Sequence, residues 1–280
     1  MIWKNRRCPL DLTHRGVVMG ILNVTPDSFS DGGQHEYGEA ALARSLQMVD
    51  EGAEIIDIGG ESTRPGAEPV SVELEMERTV PVIKALRNVS EVLISIDTSK
   101  PQVAAAAIEA GADIVNDVAG CRDEEMISLC ADSGVGVCVM HMQGEPRTMQ
   151  DRPDYEATGG VLESVRIFFE ERLDTLTRLG IDSDCLCFDP GIGFGKSLDH
   201  NCALMAGLAE IHVSRPILLG VSRKSCIGQI TGEDDPEKRD YATAAVTALA
   251  CRSGVRVHRV HNVLAGMHAL KMAERIFVNY

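Results

Sequence analysis

The sequence has no CxxC pair, no zinc-finger spacing, no excess of positive charge, no long apolar run and no Pro/Ser-rich linker, and each absence removes a class of protein. Nine cysteines lie scattered through apolar runs, an odd number that suits reduced, buried thiols in a cytosol rather than a disulfide framework or a metal cluster. Cys185 and Cys187 stand two apart, which predicts thiols packing on one strand face, with no neighbouring Cys or His to complete a metal set. A net charge of −15 argues against a general nucleic-acid or anionic-membrane binder, for which basic surface is the footprint. Any anion must therefore be held by local cations. The N-terminus, MIWKNRRCPLDLTHRG, carries arginines without an apolar signal segment, and VVMGILNV is too short to span a bilayer. The expected location is the cytoplasm.

The stretch DPGIGFGKS, Asp189 to Ser197, resembles a phosphate-binding loop but is not one. Counting back from Gly195-Lys196-Ser197 puts Pro190 where the first glycine of a P-loop belongs, and the dinucleotide fingerprint would need glycine at Lys196. The glycines must serve another purpose.

What is present is a repeat of short apolar runs with helical patterns between them, as in βα units on a parallel sheet. The runs are VVMGILNV (17 to 24), EIIDIGG (54 to 60), VLISID (92 to 97), ADIVND (112 to 117), GVCVMHM (136 to 142), CLCFD (185 to 189), PILLGVS (216 to 222) and VRVHRVH (255 to 261). Helical patterns such as SVELEMERTVPVIKAL and DYATAAVTALACRSG separate them, and several close on glycine as a C-cap does. Eight such units predict an α/β fold, a (β/α)8 TIM barrel in a single domain over 1–280, with 1–15 an extension leading into the first barrel strand. An open doubly wound sheet satisfies the same pattern.

Polar residues end the apolar runs: Asn23, Asp57, Asp97, Asn116 with Asp117, His141, Asp189, Ser222 leading to Lys224, and Arg259 with His261. TIM-barrel active sites sit at that C-terminal face. Singly, each has a structural explanation: Asp97 as a helix cap, Asp189-Pro190-Gly191 as an Asx-type turn, His141 as a satisfied core histidine. In VRVHRVHN the strand period of two puts Arg259 and His261 on one face as an anion clamp and His258 on the other. Arg64 and Arg223-Lys224 are further cations after strands. Asp97, Asn116 and Asp189 supply acceptors, and a buried carboxylate must be paired or protonate. Adjacent N–H donors of an aminopyrimidinone edge would satisfy Asp189 bidentately, with Lys224 donating to the ring. These residues describe a barrel for a phosphorylated, donor-rich heterocycle; a sugar-phosphate isomerase or aldolase with Lys224 as Schiff base is the alternative.

At NVTPDSFSDGG (Asn23 to Gly33), DIGGESTRPG (Asp57 to Gly66), SIDTSK (Ser95 to Lys100), NDVAG (Asn116 to Gly120), MHMQGEP (Met140 to Pro146), DPGIGFGK (Asp189 to Lys196), GVSRKS (Gly220 to Ser225) and RVHNV (Arg259 to Val263), the sequence resembles the dihydropteroate synthases, the folate-pathway enzymes that sulfonamides target. The resemblance implies a transferase that joins para-aminobenzoate to 6-hydroxymethyl-7,8-dihydropterin diphosphate, releasing pyrophosphate. It implies a pterin set of Asp97, Asn116, Asp189 and Lys224 with Met140 and Gly220. Asn23, Arg259 and His261 would hold pyrophosphate, with Asn23 contacting Mg2+. Thr63, Arg64, Pro65, Phe194 and Ser225 would border the aminobenzoate pocket, and Asp31 with Arg64 would gate it. The catalytic group is then Asn23, Asp31, Arg64, Lys224, Arg259 and His261. The family also implies a homodimer. One departure stands out: the family usually has Asp where this chain has Asn262, which questions how His261 is oriented or charged.

Overall fold

A computed structural model describes residues 1–25, 34–62, 68–144, 149 and 153–277. An antiparallel hairpin of β1 (Ile2–Trp3) and β2 (Leu10–Asp11) precedes a parallel sheet of β3 (Val17–Asn23), β4 (Ile55–Gly59), β5 (Leu93–Asp97), β6 (Ile114–Asp117), β7 (Gly136–Met140), β8 (Leu186–Asp189), β9 (Leu218–Leu219) and β10 (Val257–Val260). These eight parallel strands coincide with the eight apolar runs. The order β8-β7-β6-β5-β4-β3-β10-β9 closes on itself where Phe188 of β8 bridges in parallel to Ile217 before β9. The result is a TIM barrel.

Helices α1 (Gln34–Asp50), α2 (Val72–Val89), α3 (Pro101–Ala110), α4 (Glu124–Ser133), α5 (Val161–Arg178), α6 (Leu198–Ala206), α7 (Ser225–Thr231), α8 (Asp240–Arg252) and α9 (Val263–Phe277) wrap the sheet. Their ends follow local chemistry. Ser71 caps α2 by accepting from the Leu74 amide, Asp123 caps α4, and left-handed glycines at 111 and 134 end α3 and α4. The strands read as continuous apolar runs because both faces are buried: outward residues such as Ile56, Ile94 and Val137 pack under the helices, while Met19, Ile55, Leu93, Ile114, Cys138 and Cys187 fill the barrel.

The hairpin closes the barrel's N-terminal end. Trp3 is fully buried in the inner cluster, and its indole N–H donates to the Cys185 carbonyl at 2.8 Å. One sequence expectation is corrected here. Cys185 ends a 3-10 turn, Ser183–Cys185, before β8 begins, so it lies in the outer cluster whereas Cys187 points into the barrel. Strand alternation cannot put them on one face when only one is in the strand.

Candidate functional site

At the C-terminal face, strand ends gather buried polar groups above the apolar filling. Asp57 ends β4's inward series, Asp97 ends β5 and Asn116 lies in β6, all less than one-tenth exposed. Arg259 of β10 reaches across them: Nε donates to Asp57 Oδ2 and Nη2 to Asp97 Oδ2, both at 2.6 Å. Asn116 Nδ2 also donates to Asp57 Oδ2, at 3.1 Å. The second oxygen of each carboxylate, Oδ1 of Asp57 and of Asp97, is buried with no hydrogen-bond partner among the described residues. An orphaned carboxylate oxygen costs free energy unless a ligand donates to it. Burial pushes the Asp97 carboxyl up to about 7 against the opposing pull of Arg259. Burial also acts to lower the Arg259 guanidinium, but Asp57 and Asp97 outweigh it and hold it above its ordinary range.

Asp189 closes the ring. Its Oδ1 accepts from the Gly191 amide at 2.7 Å, the expected Asx-type turn, and its burial raises its pKa, with Lys224 pulling the other way. Its other oxygen faces Gly220, where an added Cβ would stand 3.4 Å away. The missing side chain leaves a slot between Asp189 and Arg259. Met140 is buried in register with Asp189 on the neighbouring strand. Lys224, half-buried, donates to the Ile192 carbonyl and lies 4.5 Å from the Phe194 ring centroid. Burial lowers its ammonium to about 8, with Asp189 acting to raise it.

The glycines of DPGIGFGK now have a cause. A Cβ on Gly191 would overlap the His141 carbonyl, one on Gly195 the Gln143 carbonyl, and both glycines hold positive φ. The loop lies directly on the backbone that follows β7. Lys196, 3% exposed, secures it by donating to His141 Nδ1 and to the Phe194 carbonyl, each at 2.9 Å. Burial lowers Lys196 to about 7, and burial with Lys196 nearby takes His141 down to about 2, a neutral imidazole. For His141 the core reading is the right one.

The rim differs from sequence expectation in part. Arg223 is not a cation for the mouth: it has positive φ and makes a two-pronged pair with Asp240, Nε to Oδ1 and Nη2 to Oδ2 at 2.8 Å. Nor does Asp97 cap a helix, because its carboxylate serves Arg259. His261, half-buried, pairs its Nδ1 with Ser222 Oγ at 3.0 Å. Asn262 caps α9 by accepting from the Ala265 amide and donates to Asp240 Oδ2 at 3.1 Å. The carboxylate missing at position 262 is thus supplied beside it by Asp240, whose pKa is lowered by Arg223 and Asn262 against its burial.

Asn23 ends β3, half-buried, opposite Gly59. Ser225 is the first residue of α7 and exposed. Asp31, Thr63, Arg64 and Pro65 lie outside the described residues. Sequence reading passed over Asp57 as a site member, and over Lys196 and Asp240; Asp57 was legible as a strand-end carboxylate, whereas the other two act through partners far along the chain.

Fold and mouth together define a TIM barrel whose C-terminal mouth gathers three buried carboxylates, an asparagine and the cations Arg259 and Lys224. A family model described as pterin binding enzyme matches residues 19–261. The dihydropteroate synthase of Escherichia coli strain K12 is 45% identical over 266 residues, covering 95% of this chain and 93% of its own. The Yersinia pestis dihydropteroate synthase, solved in a sulfonamide drug complex, superposes with a TM-score of 0.91 at 42% identity, covering 99% of each chain. The Xanthomonas albilineans enzyme, solved with 4-aminobenzoic acid, gives 0.89 at 43% identity, covering 97% of this chain and 96% of its own. The chain belongs to the dihydropteroate synthase family of pterin-binding enzymes.

Proposed function

We infer that this chain condenses 6-hydroxymethyl-7,8-dihydropterin diphosphate with para-aminobenzoate to give 7,8-dihydropteroate and pyrophosphate, a transferase step of folate biosynthesis. The observation that carries the reading is the set of buried carboxylate oxygens at the mouth, Oδ1 of Asp57 and Asp97 without partners and Asp189 facing the Gly220 slot. The aminopyrimidinone edge of a pterin supplies adjacent N–H donors for Asp189, and Lys224 donates to its ring carbonyl or nitrogen. Asp97 and Asn116 take the far edge, with Met140 as an apolar neighbour.

Loss of pyrophosphate leaves a methylene cation conjugated with an electron-rich pteridine, so the barrier falls chiefly by stabilising the leaving group. Asp57 and Asp97 occupy two of the five guanidinium N–H groups of Arg259, which leaves donors for a phosphate oxygen. His261, just past the end of β10 and oriented by Ser222, adds a second donor. The aryl amine is already a neutral nucleophile, so no strong base or Schiff-base lysine is needed.

Mg2+ fits this donor set. Among the described residues no cluster of His, Cys, Asp and Glu is gathered for a metal, while Asn23 offers one amide oxygen at the mouth, which suits an ion that keeps its waters and binds substrate phosphates. When bound it would neutralise diphosphate charge. Asp31, Thr63, Arg64 and Pro65 would act on the aminobenzoate side, as the resemblance implies. Phe194 and Ser225 would border the aminobenzoate.

The chain acts as a homodimer in this reading. Tyr241 and Leu249 of α8 with Leu264, Met272 and Ile276 of α9 stay exposed on helices that pack together, an apolar face of the kind that a second copy covers. Nine free cysteines support a reducing cytoplasm, and no described helix is long and apolar enough to cross a membrane. The reading is tested with purified protein, pterin diphosphate and Mg2+, with and without para-aminobenzoate. Equal amounts of pyrophosphate and dihydropteroate support it; pterin binding with neither product would leave a non-catalytic pterin binder.

A further inference from the structure

Two lysines hold the DPGIGFGK segment, and they have different surroundings. Asp189 is a nearby counter-charge for both, acting to raise each pKa, and among the described residues it forms an ion pair with neither. Lys196 is more deeply buried, and among the described residues no carboxylate pairs with it. Its Nζ reaches His141 Nδ1 and the Phe194 carbonyl at 2.9 Å and the His141 carbonyl at 3.4 Å. His141 is itself clamped, edge-on to Phe168 at 5.1 Å between ring centroids and 6.1 Å from Tyr155. The Tyr155 hydroxyl donates to the Gly195 carbonyl at 2.7 Å, so the same side of the loop is held twice.

A buried lysine that hydrogen-bonds to no carboxylate is an expensive way to fill a space that an apolar side chain could occupy. Stability alone does not call for it. What the lysine does that a methionine cannot is tie the Phe194 carbonyl to the His141 ring. Phe194 in turn presents its ring to Lys224, so its backbone position decides where that wall of the mouth stands. We propose that Lys196 is a positioning residue that fixes the Phe194 wall by bridging the loop after β8 to the loop after β7. This rests on the reading that Phe194 borders the aminobenzoate. The pterin side is formed by Asp97, Asn116 and Asp189, none of which hydrogen-bonds to Lys196, although Asp189 acts on it through charge.

Lys196→Met keeps the volume and removes the donors. The expected result is a rise of about fivefold or more in KM for para-aminobenzoate, with pterin diphosphate affinity within about twofold of the parent and a smaller change in kcat. Hydrogen exchange of the Gly191 to Lys196 amides should accelerate. An unchanged KM, or an equal loss of pterin diphosphate affinity, would overturn the proposal, the latter making Lys196 a general strut. Should Lys196→Met fail to fold, His141→Phe removes the acceptor while keeping a ring, and the same rise in KM is required of it. If the parent protein makes no dihydropteroate, the functional reading fails instead. Exchange of residues 191–196 then decides alone: unchanged protection in the variant counts against Lys196, faster exchange for it.

Discussion

Asp97, the last residue of β5, and Asp113, just before β6, are both buried beside arginines at opposite ends of the barrel. At the closed end, Asp113 is fully used: Oδ1 pairs with Arg7 Nε at 3.3 Å, and Oδ2 takes Arg87 Nη2 and the Ile94 amide. At the open end, Asp97 gives one oxygen to Arg259 and keeps the other unpartnered among the described residues, as does Asp57. The fold can satisfy a buried carboxylate completely and does so where stability is the only demand. At the mouth the oxygens left over are open to donors from a bound ligand, although an unpartnered oxygen alone does not mark a site, since Oε1 of Glu75 in α2 is left over as well.

That contrast can be broken from the closed end. Trp3→Ala should cost about 4 kcal/mol of stability, read by thermal or denaturant unfolding, because it empties a fully buried site and orphans the Cys185 carbonyl. Pterin diphosphate affinity should not change; a parallel loss would mean that the two ends are coupled. Asp113→Asn should cost about 3 kcal/mol, because it takes the counter-charge from the partly buried Arg87. Asp97→Asn should cost under about 1 kcal/mol, since Arg259 keeps Asp57 and burial already disfavours the ionised Asp97. Equal costs for the two aspartates would remove the distinction between the ends.

Titration sharpens the same comparison. Asp97 has its pKa raised from 3.8 to about 7, so the folded state holds its proton more tightly than the unfolded chain. Its contribution to stability is full below about pH 4 and falls away as pH rises through 7. The Asp97→Asn variant should lose that slope in unfolding measurements between about pH 4 and 7. Ligand N–H donors need the ionised carboxylate, whereas donation from Lys224 weakens above its value of about 8. Pterin affinity should therefore peak between about pH 7 and 8, changing by no more than about tenfold per pH unit on either side. A flat profile contradicts the assignment of both groups. At the rim, Asp240→Ala should cost about 1 kcal/mol of stability and reduce turnover a few-fold by releasing Arg223 and Asn262.

The barrel was legible in the sequence because its strands are buried on both faces and so read as unbroken apolar runs ending in polar residues. Asp97, Asn116, Asp189 and Lys224 were legible for the same reason, as the ends of those runs. The hairpin was not, since two-residue strands such as Ile2–Trp3 carry no periodicity. Partner choice was equally hidden. That Arg223 turns to Asp240, that Lys196 meets His141 across 55 residues, and that Arg259 lies between Asp57 and Asp97 all depend on barrel closure. The charge that Asn262 lacks could be found only in space, on Asp240.

The most direct test is the affinity of Asp189→Ala for pterin diphosphate, measured by calorimetry beside its melting temperature. The account predicts a loss of about 3 kcal/mol or more, on the order of a hundredfold or greater in Kd, with a lower melting temperature but a folded protein, because the Gly191 amide loses its acceptor and Lys224 its counter-charge. Undiminished pterin affinity would contradict it, because the oxygen facing Gly220 would then be receiving no donor from the ligand.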